Sequence, residues 1–208
     1  MKATIASLIF LLLSLAVSSQ TYKYIGIEEG LSNQKIYRIQ KDARGYMWFL
    51  THVGIDRYNG KEIKHYKLKE GDRELDPLLN INWTYLDKTG TLLVTGKQGR
   101  IFRYDSGHDR FVQIYSMYNY WNKDYHAFVR YSYIDQESNV WLCDKSAIHL
   151  FNIESGQKQR ISNRLGNITC IEQINSEHFF IGTDKRIYLV KLENGNLKEL
   201  SCGKLEMM

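Results

Sequence analysis

One segment of the chain concentrates side chains that are suited to holding a polar ligand. Residues 115–128 read YSMYNYWNKDYHAF, in which aromatic rings alternate with amides, a lysine and an acid. Aromatic faces stack on the C–H faces of sugar rings, while amides and acids hydrogen-bond sugar hydroxyls. The candidate ligand-binding residues are therefore Tyr118, Tyr120, Trp121, Asn122 and Tyr125. The alternative is that these rings pack the segment against its own domain or against a partner.

The remaining reactive side chains do not form a recognisable catalytic or metal-binding pattern. The six histidines lack metal-ligand spacing, and the chain has neither a Gly-x-Ser-x-Gly elbow nor a glycine-rich phosphate loop. We therefore predict no catalytic residue, no metal and no cofactor. The net charge is +5, but the lysines and arginines are scattered among acidic residues and form no basic block. A nucleic-acid partner is therefore not expected.

A different sequence pattern, outside residues 115–128, recurs along the chain. GYMWFLTHVGIDRYN (45–59) aligns with residues 90–105, 138–152 and, more weakly, 177–190. In this alignment Trp48 corresponds to Leu93, Trp141 and Phe180. The spacings of 45, 48 and 39 residues suit structural units joined by loops of variable length.

Each unit predicts four short strands separated by turns rich in Gly, Asn, Asp and Ser. Four strands in about 45 residues form the blade of a β-propeller. The fold class is therefore all-β, with four four-stranded blades over about 30–68, 78–115, 127–162 and 166–201. Helical periodicity is not evident.

The repeated residues are expected to build the architecture. The aromatic or leucine side chains of the Trp48 position should fill the gaps between blades. A polar residue precedes each of them and should bind backbone donors in a turn; these residues are Asp42, Asp87, Asp135 and Asn175.

Propeller ligands usually meet the loops that link successive blades and the turns between the two middle strands. In this chain these are 69–80, 116–128 and 163–166, with His52, Lys97–Gln98, Lys145 and Lys185 in the shorter turns.

The first residues resemble a secretory signal peptide. Lys2 is followed by an apolar run from Ala3 to Val17 and then by small residues. This run is shorter than the about 20 apolar residues of a membrane span, although an uncleaved anchor is an alternative. We predict a signal peptide at 1–19, propeller repeats over 20–208, and no membrane span after signal removal. Cys143 and Cys170 lie in apolar runs and are expected to be buried; a disulfide among Cys143, Cys170 and Cys202 stays open.

Residues 30–60, GLSNQKIYRIQKDARGYMWFLTHVGIDRYNG, closely resemble the two-component regulator propeller repeat. The resemblance extends with decreasing strength over the other three units. It implies a periplasmic sensor region of a hybrid two-component system histidine kinase, which recognises an oligosaccharide or another small periplasmic ligand. The kinase output domains are absent from this sequence, so the chain is expected to be an N-terminal fragment and not itself an enzyme.

Two alternatives remain beside the sensor: a stand-alone exported propeller that binds glycans or proteins, and a propeller glycosidase or lyase. The segment Tyr22–Ile27 is expected to form an extra strand awaiting another blade, which favours an open or incomplete propeller. Further expected partners are the missing C-terminal part of the sensor or a second copy in a homodimer.

Overall fold

The computed structural model describes residues 22–118 and 128–204. Its strands assemble into four antiparallel four-stranded sheets, here called blades 1 to 4, and one two-stranded hairpin. Blade 1 contains β1 (Ile36–Lys41), β2 (Met47–Thr51), β3 (Ile55–Tyr58) and β4 (Ile63–Tyr66). The hairpin of β5 (Lys69–Glu70) and β6 (Arg73–Glu74) and the one-turn helix α1 (Pro77–Asn80) follow.

The other three blades repeat the order of the first. Blade 2 contains β7 (Trp83–Leu86), β8 (Leu92–Thr95), β9 (Arg100–Asp105) and β10 (Arg110–Ser116). Blade 3 contains β11 (Tyr131–Ile134), β12 (Asn139–Cys143), β13 (Ala147–Asn152) and β14 (Lys158–Ser162). Blade 4 contains β15 (Ile168–Gln173), β16 (His178–Thr183), β17 (Arg186–Glu193) and β18 (Asn196–Lys204). The predicted all-β class and the four four-stranded repeats are confirmed.

The strand register shows that the four blades are built alike. Trp48 pairs with Gln40 of the preceding strand, and Leu93, Trp141 and Phe180 pair at the same relative position with Tyr85, Tyr133 and Glu172. Two residues further on, Leu50, Thr95, Cys143 and Gly182 lie opposite an isoleucine of the third strand. The alignment inferred from the repeats is therefore correct on the second strand of all four blades. On the third strand of blade 2 it is one residue out, because Ile101 and not Arg100 corresponds to Ile55.

The core lies between neighbouring blades. Successive side chains of a strand point to opposite faces of its sheet, so each middle strand contributes to two interfaces. Trp48 packs in one cluster with Leu92 and Val94 of blade 2, while Leu93 packs with Val140 of blade 3. Trp141 packs in a third cluster with Phe179 and Ile181 of blade 4.

The aspartates before the tryptophans have the predicted role in the turns. Asp42 Oδ1 accepts from the amides of Arg44 and Tyr46, and its Oδ2 accepts from Trp48 Nε1 at 2.8 Å. Asp135 likewise accepts from the amide of Asn139 and from Trp141 Nε1. The carboxylate therefore closes the turn and also satisfies the one polar atom of a buried indole.

Three local predictions were wrong. Phe180 does not fill a gap, because it lies on the face of blade 4 that points away from blade 3 and is 46% exposed. Residues 22–27 form no strand: Gly26 and Gly30 instead take part in a local turn with Glu29 and Ile27. Cys170 is exposed, unlike the buried Cys143, and all three cysteines are free.

Helix α1 is an element that the sequence pattern did not indicate. Asp76 caps it by accepting from the amide of Leu78, and Pro77 occupies its first turn, where the missing N–H of proline is not needed. Residues 22–118 and 128–204 contain no helix with the length and apolar character of a membrane span.

Candidate functional site

A cavity of about 610 Å³ opens where the connection between blades 1 and 2 meets the β8–β9 turn. We call it the mixed-charge cavity because acids and bases line it together. Its lining comprises Glu70, Arg73, Glu74, Leu75, Asp76, Gln98, Arg100 and Tyr118. This volume lies within the range of small-molecule sites, about 300–1,000 Å³.

Arg100 is the central side chain of the mixed-charge cavity. Its side chain is only 7% exposed, and it donates to Asn80 Oδ1 at 3.3 Å and to Gln98 Oε1 at 2.5 Å. A third bond, at 3.4 Å, reaches Glu70 Oε2. Within the described part of the chain no acceptor reaches the buried Arg100 Nε, so this guanidinium retains one unused donor.

The linker between the blades holds these partners in place. Glu70 also accepts from Arg73 at 2.6 Å across the β5–β6 hairpin. Asn80, at the end of α1, is buried and is itself fixed by a bond from its amide nitrogen to the carbonyl of Asp76. The hairpin and the helix therefore position one acceptor on each side of the arginine.

Gly96 allows α1 to approach blade 2 closely. A Cβ atom on Gly96 would lie 2.3 Å from Asn80 Cα and 2.5 Å from the carbonyl oxygen of Leu79. Both are backbone atoms, so only a displacement of α1 could relieve the overlap.

We expect Gly96→Ala to lower the free energy of unfolding by about 1–3 kcal/mol, the usual cost of overpacking, in urea denaturation. Gly203→Ala is the matched control, since a Cβ on Gly203 meets nothing within 4 Å. Equal stability of the two variants would contradict the close approach.

The sequence-predicted site residues divide into two groups. Tyr118 lines the mixed-charge cavity, and the guanidinium of Arg100 lies 5.8 Å from its ring centroid. Tyr120, Trp121, Asn122 and Tyr125 lie outside the described residues, so their part in the site stays a prediction. The loop 69–80 and the turn 97–98, both expected on the ligand face, do meet at this cavity.

Sequence reasoning missed Arg100, Glu70, Arg73, Glu74 and Asp76 as individual site residues. One signal was available for Arg100, because it is a charged residue at the start of the otherwise buried strand RIFRYD. A charge at such a position must find partners or remain accessible to a ligand. The acids gave no signal, since they lie among the ordinary charges of a linker.

The residues that the structure describes contain no cluster suited to a metal ion. No three His, Cys, Asp or Glu side chains there come close enough together to hold a metal ion. The repeated Trp48 and Trp141 are fully buried between blades, as predicted for structural residues.

Four antiparallel four-stranded sheets packed face to face, with cavities at the loop ends between them, define a protein of the β-propeller class. Residues 30–52 match the family described as two component regulator propeller. The resemblance predicted from the sequence is thereby confirmed over the first repeat. A comparison with curated protein sequences finds no significant match.

Solved structures with similar folds include two bacterial propeller proteins. The extracellular domain of a hybrid two-component system from B. thetaiotaomicron superposes with a TM-score of 0.64 at 17% identity, over 86% of this chain and 26% of that chain. PorZ, a surface component of the type-IX secretion system of Porphyromonas gingivalis, gives a TM-score of 0.58 at 14% identity, over 86% and 24%. The chain thus spans about a quarter of the length of either protein, and the likeness establishes the fold.

Proposed function

We propose that this chain is the periplasmic ligand-sensing propeller region of a hybrid two-component histidine kinase, and that the mixed-charge cavity binds an oligosaccharide. The observation that carries the proposal is Arg100, a buried guanidinium with an unused donor in a cavity that also presents carboxylates and a tyrosine ring. A free donor that lies in a cavity favours a ligand over a purely structural role, because buried polar groups usually find a partner.

The composition of the cavity favours a neutral ligand rich in hydroxyl groups. Each sugar hydroxyl both donates and accepts hydrogen bonds, and this cavity offers both kinds of partner. Arg73, Arg100 and Gln98 supply donors, whereas Glu70, Glu74 and Asp76 supply acceptors. With three acids against two arginines, the lining does not favour a strongly anionic ligand.

The wider assignment as a sensor region is supported by the matched repeat and by the fold. The repeat at residues 30–52 is of the two component regulator propeller type, and one similar solved structure is described as the extracellular domain of a hybrid two-component system. In this proposal the signal peptide directs the chain to the periplasm, and the partners of the propeller are the remaining part of the sensor or a second copy.

Binding of the oligosaccharide is tested by calorimetric titration of the purified full chain with a panel of neutral oligosaccharides. For any that binds, we expect Arg100→Gln to weaken the affinity at least about tenfold, because charge-assisted hydrogen bonds contribute about 1.5–3 kcal/mol. Tyr118→Ala should also weaken it, through loss of the ring face. Arg44→Gln is the matched control, since Arg44 is exposed and donates to Ser106, away from the cavity.

Undiminished binding by both cavity variants, with their fold intact by circular dichroism, would remove the mixed-charge cavity from the proposal. Signalling is tested separately in the host. A chromosomal Arg100→Gln substitution should abolish the transcriptional response to the oligosaccharide that binds. Binding without such a response would favour the stand-alone exported propeller, and cleavage of the oligosaccharide during titration would favour an enzyme.

A further inference from the structure

A second cavity, of about 590 Å³, opens between blades 3 and 4 and is dominated by positive charge. We call it the basic cavity. Its charged lining is contributed by the loop before β11, the β12–β13 turn, the β14–β15 connection and the β16–β17 turn. These residues are Arg130, Lys145, Arg164, Lys185 and Arg186, with Asp184 as the single acid.

The basic cavity occupies the position in the repeat that the mixed-charge cavity occupies between blades 1 and 2. Ile101 and Ile187 hold equivalent places in the strand register, opposite Thr95 and Gly182, so Arg100 and Arg186, which precede them, are also equivalent. The two cavities are therefore built on the same framework and differ in the side chains that the loops add.

The two equivalent arginines have contrasting surroundings. Arg100 is buried against Asn80, Gln98 and Glu70. Arg186 is exposed, and its one side-chain hydrogen bond in the described residues is a long contact of 3.8 Å to Cys202 Sγ. The loop between blades 3 and 4 provides no counterpart of Glu70, and Arg186 forms no ion pair with a described residue.

The same holds for the other cations of the basic cavity. None of the five forms an ion pair with a described residue. Five positive charges and one negative charge give the lining a balance of +4. Like charges that converge on a concave surface repel one another and create a positive potential, which an anion would relieve.

The loop that carries Arg164 is held in a defined conformation. Asn163 donates from Nδ2 to the carbonyl oxygens of Asp144 and Gly166, at 3.1 and 2.8 Å, and its Oδ1 accepts from the amide of Leu165 at 3.0 Å. The loop is therefore already ordered without a ligand. Because it need not become ordered on binding, the entropic cost of binding is lower.

One further atom points to the kind of anion. Asn167 lines the basic cavity, and within the described residues no donor reaches its buried Oδ1. No hydrogen bond in the described residues fixes the orientation of this amide, so it can either donate to or accept from a hydroxyl group of a ligand. The lining also includes the ring of Tyr188, which offers an apolar contact for a sugar ring.

We propose that the basic cavity binds an acidic saccharide, whose sulfate or carboxylate group is held by Lys185, Arg186 and neighbouring cations while Asn167 hydrogen-bonds a hydroxyl group. Arginine in particular matches the planar, two-oxygen face of such groups. The cavity is separate from the mixed-charge cavity, so this second site goes beyond the function proposed above. Nucleic acid is disfavoured because single strands need an extended basic track with several aromatic platforms.

The test is calorimetric titration of the full chain with a sulfated uronate-containing disaccharide, its neutral unsulfated parent, inorganic sulfate and a short oligonucleotide. We expect the acidic disaccharide to bind at least about tenfold more tightly than the neutral parent. Its affinity should fall several-fold between about 0.1 M and about 1 M salt, as the Debye length shrinks from about 10 to about 3 Å. Inorganic sulfate alone should bind more weakly than the disaccharide, because it lacks the hydroxyl contacts.

Substitutions inside and outside the basic cavity test whether the acidic disaccharide binds there. Lys185→Gln and Arg186→Gln should each weaken the acidic disaccharide roughly tenfold, whereas Lys61→Gln, at an exposed turn of blade 1, should leave it unchanged. Arg100→Gln should also leave it unchanged, which separates this site from the mixed-charge cavity. Since Lys185 and Arg186 are exposed, the variants should retain the melting temperature of the wild type.

Several outcomes would overturn the proposal. Equal affinity for the neutral parent would show that charge is not recognised, and binding of inorganic sulfate as tight as that of the disaccharide would reduce the cavity to a simple anion site. Tighter binding of the oligonucleotide would reassign the partner. Loss of binding in Arg100→Gln, but not in Lys185→Gln or Arg186→Gln, would place the ligand in the other cavity.

Discussion

Replacing Trp48 by alanine is expected to lower the free energy of unfolding by about 3–5 kcal/mol, the range for deleting a fully buried tryptophan. The indole is completely buried and packs against the rings of Tyr66, Tyr104 and Phe111, with centroid separations of 4.7–5.6 Å. Its removal leaves a cavity between blades 1 and 2 and takes the Nε1 donor away from Asp42. Urea denaturation followed by circular dichroism measures the loss.

The repeat itself supplies the control for this prediction. Phe180 holds the same register position in blade 4, but it faces away from blade 3 and is 46% exposed. Phe180→Ala should therefore cost only about 1–1.5 kcal/mol, since about half of the ring is already exposed to solvent. Trp141→Ala, at the interface of blades 3 and 4, should behave like Trp48→Ala. If Phe180→Ala and Trp48→Ala were equally destabilising, the blade interfaces would not be the source of stability.

The behaviour of this position shows what sequence can predict about a repeat fold. Alternating apolar residues and the aspartate six residues before Trp48 and Trp141 are local signals, and they were sufficient for the four blades and for the alignment of their second strands. Burial of an individual side chain is different, because it requires a neighbouring sheet on the correct side. Phe180 is an aromatic residue at the Trp48 position of the repeat, yet no blade in the described residues covers it.

The candidate site was predictable only in part for a related reason. The loops on the ligand face follow directly from the strand order, so 69–80 and 97–98 could be placed there. The position of Arg100 in the cavity depends on its hydrogen bond to Asn80, which lies at the end of the linker helix. That bond could not be predicted from the sequence. Such contacts between a loop and a strand twenty residues later leave no periodic trace in a sequence.

The two cavities show how a repeated framework can carry linings of different charge. Equivalent arginines begin the third strand of blades 2 and 4, but the preceding linkers differ in length and charge. The linker before blade 2 folds into a hairpin and a helix and supplies acids, whereas the linker before blade 4 is short and supplies Arg164. Specificity would then reside in the linkers, which can vary without disturbing the interfaces between blades.

Asp109 joins blade 2 to blade 1. Replacing its carboxylate by a neutral group is expected to lower the free energy of unfolding, an effect second in size to that of Trp48→Ala. It adopts a positive φ of 50° in the β9–β10 turn, and its carboxylate accepts from Arg57 at 2.8 Å and from Tyr66 Oη at 2.6 Å. Lys64 and Tyr104 donate to it as well. The carboxylate thus ties the third and fourth strands of blade 1 to the turn of blade 2.

These partners determine how the carboxyl titrates. Burial raises the pKa of Asp109, but the hydrogen bonds from Lys64, Tyr104 and Tyr66 and the charge of Arg57 outweigh burial and hold the pKa far below its ordinary value. Because the pKa is lower in the folded than in the unfolded chain, ionised Asp109 stabilises the fold at every pH above about 4, the unfolded pKa. That contribution is lost as the pH falls from there toward the folded pKa.

We expect Asp109→Asn to lower the free energy of unfolding at pH 7 by about 1–3 kcal/mol, since Arg57, only 13% exposed, loses its counter-charge. Asparagine tolerates a positive φ nearly as well as aspartate, so the substitution isolates the charge from the backbone. The difference between wild type and D109N, measured by urea denaturation, should shrink as the pH is lowered from about 5 to about 2. Asp105→Asn is the control for the bridge between blades, because the partners of Asp105 among the described residues, Gly107 and His108, lie in its own turn; its loss of stability should be the smaller of the two. A pH-independent difference for D109N would mean that the bridge between blades 1 and 2 depends on the shape of the side chain and not on its charge.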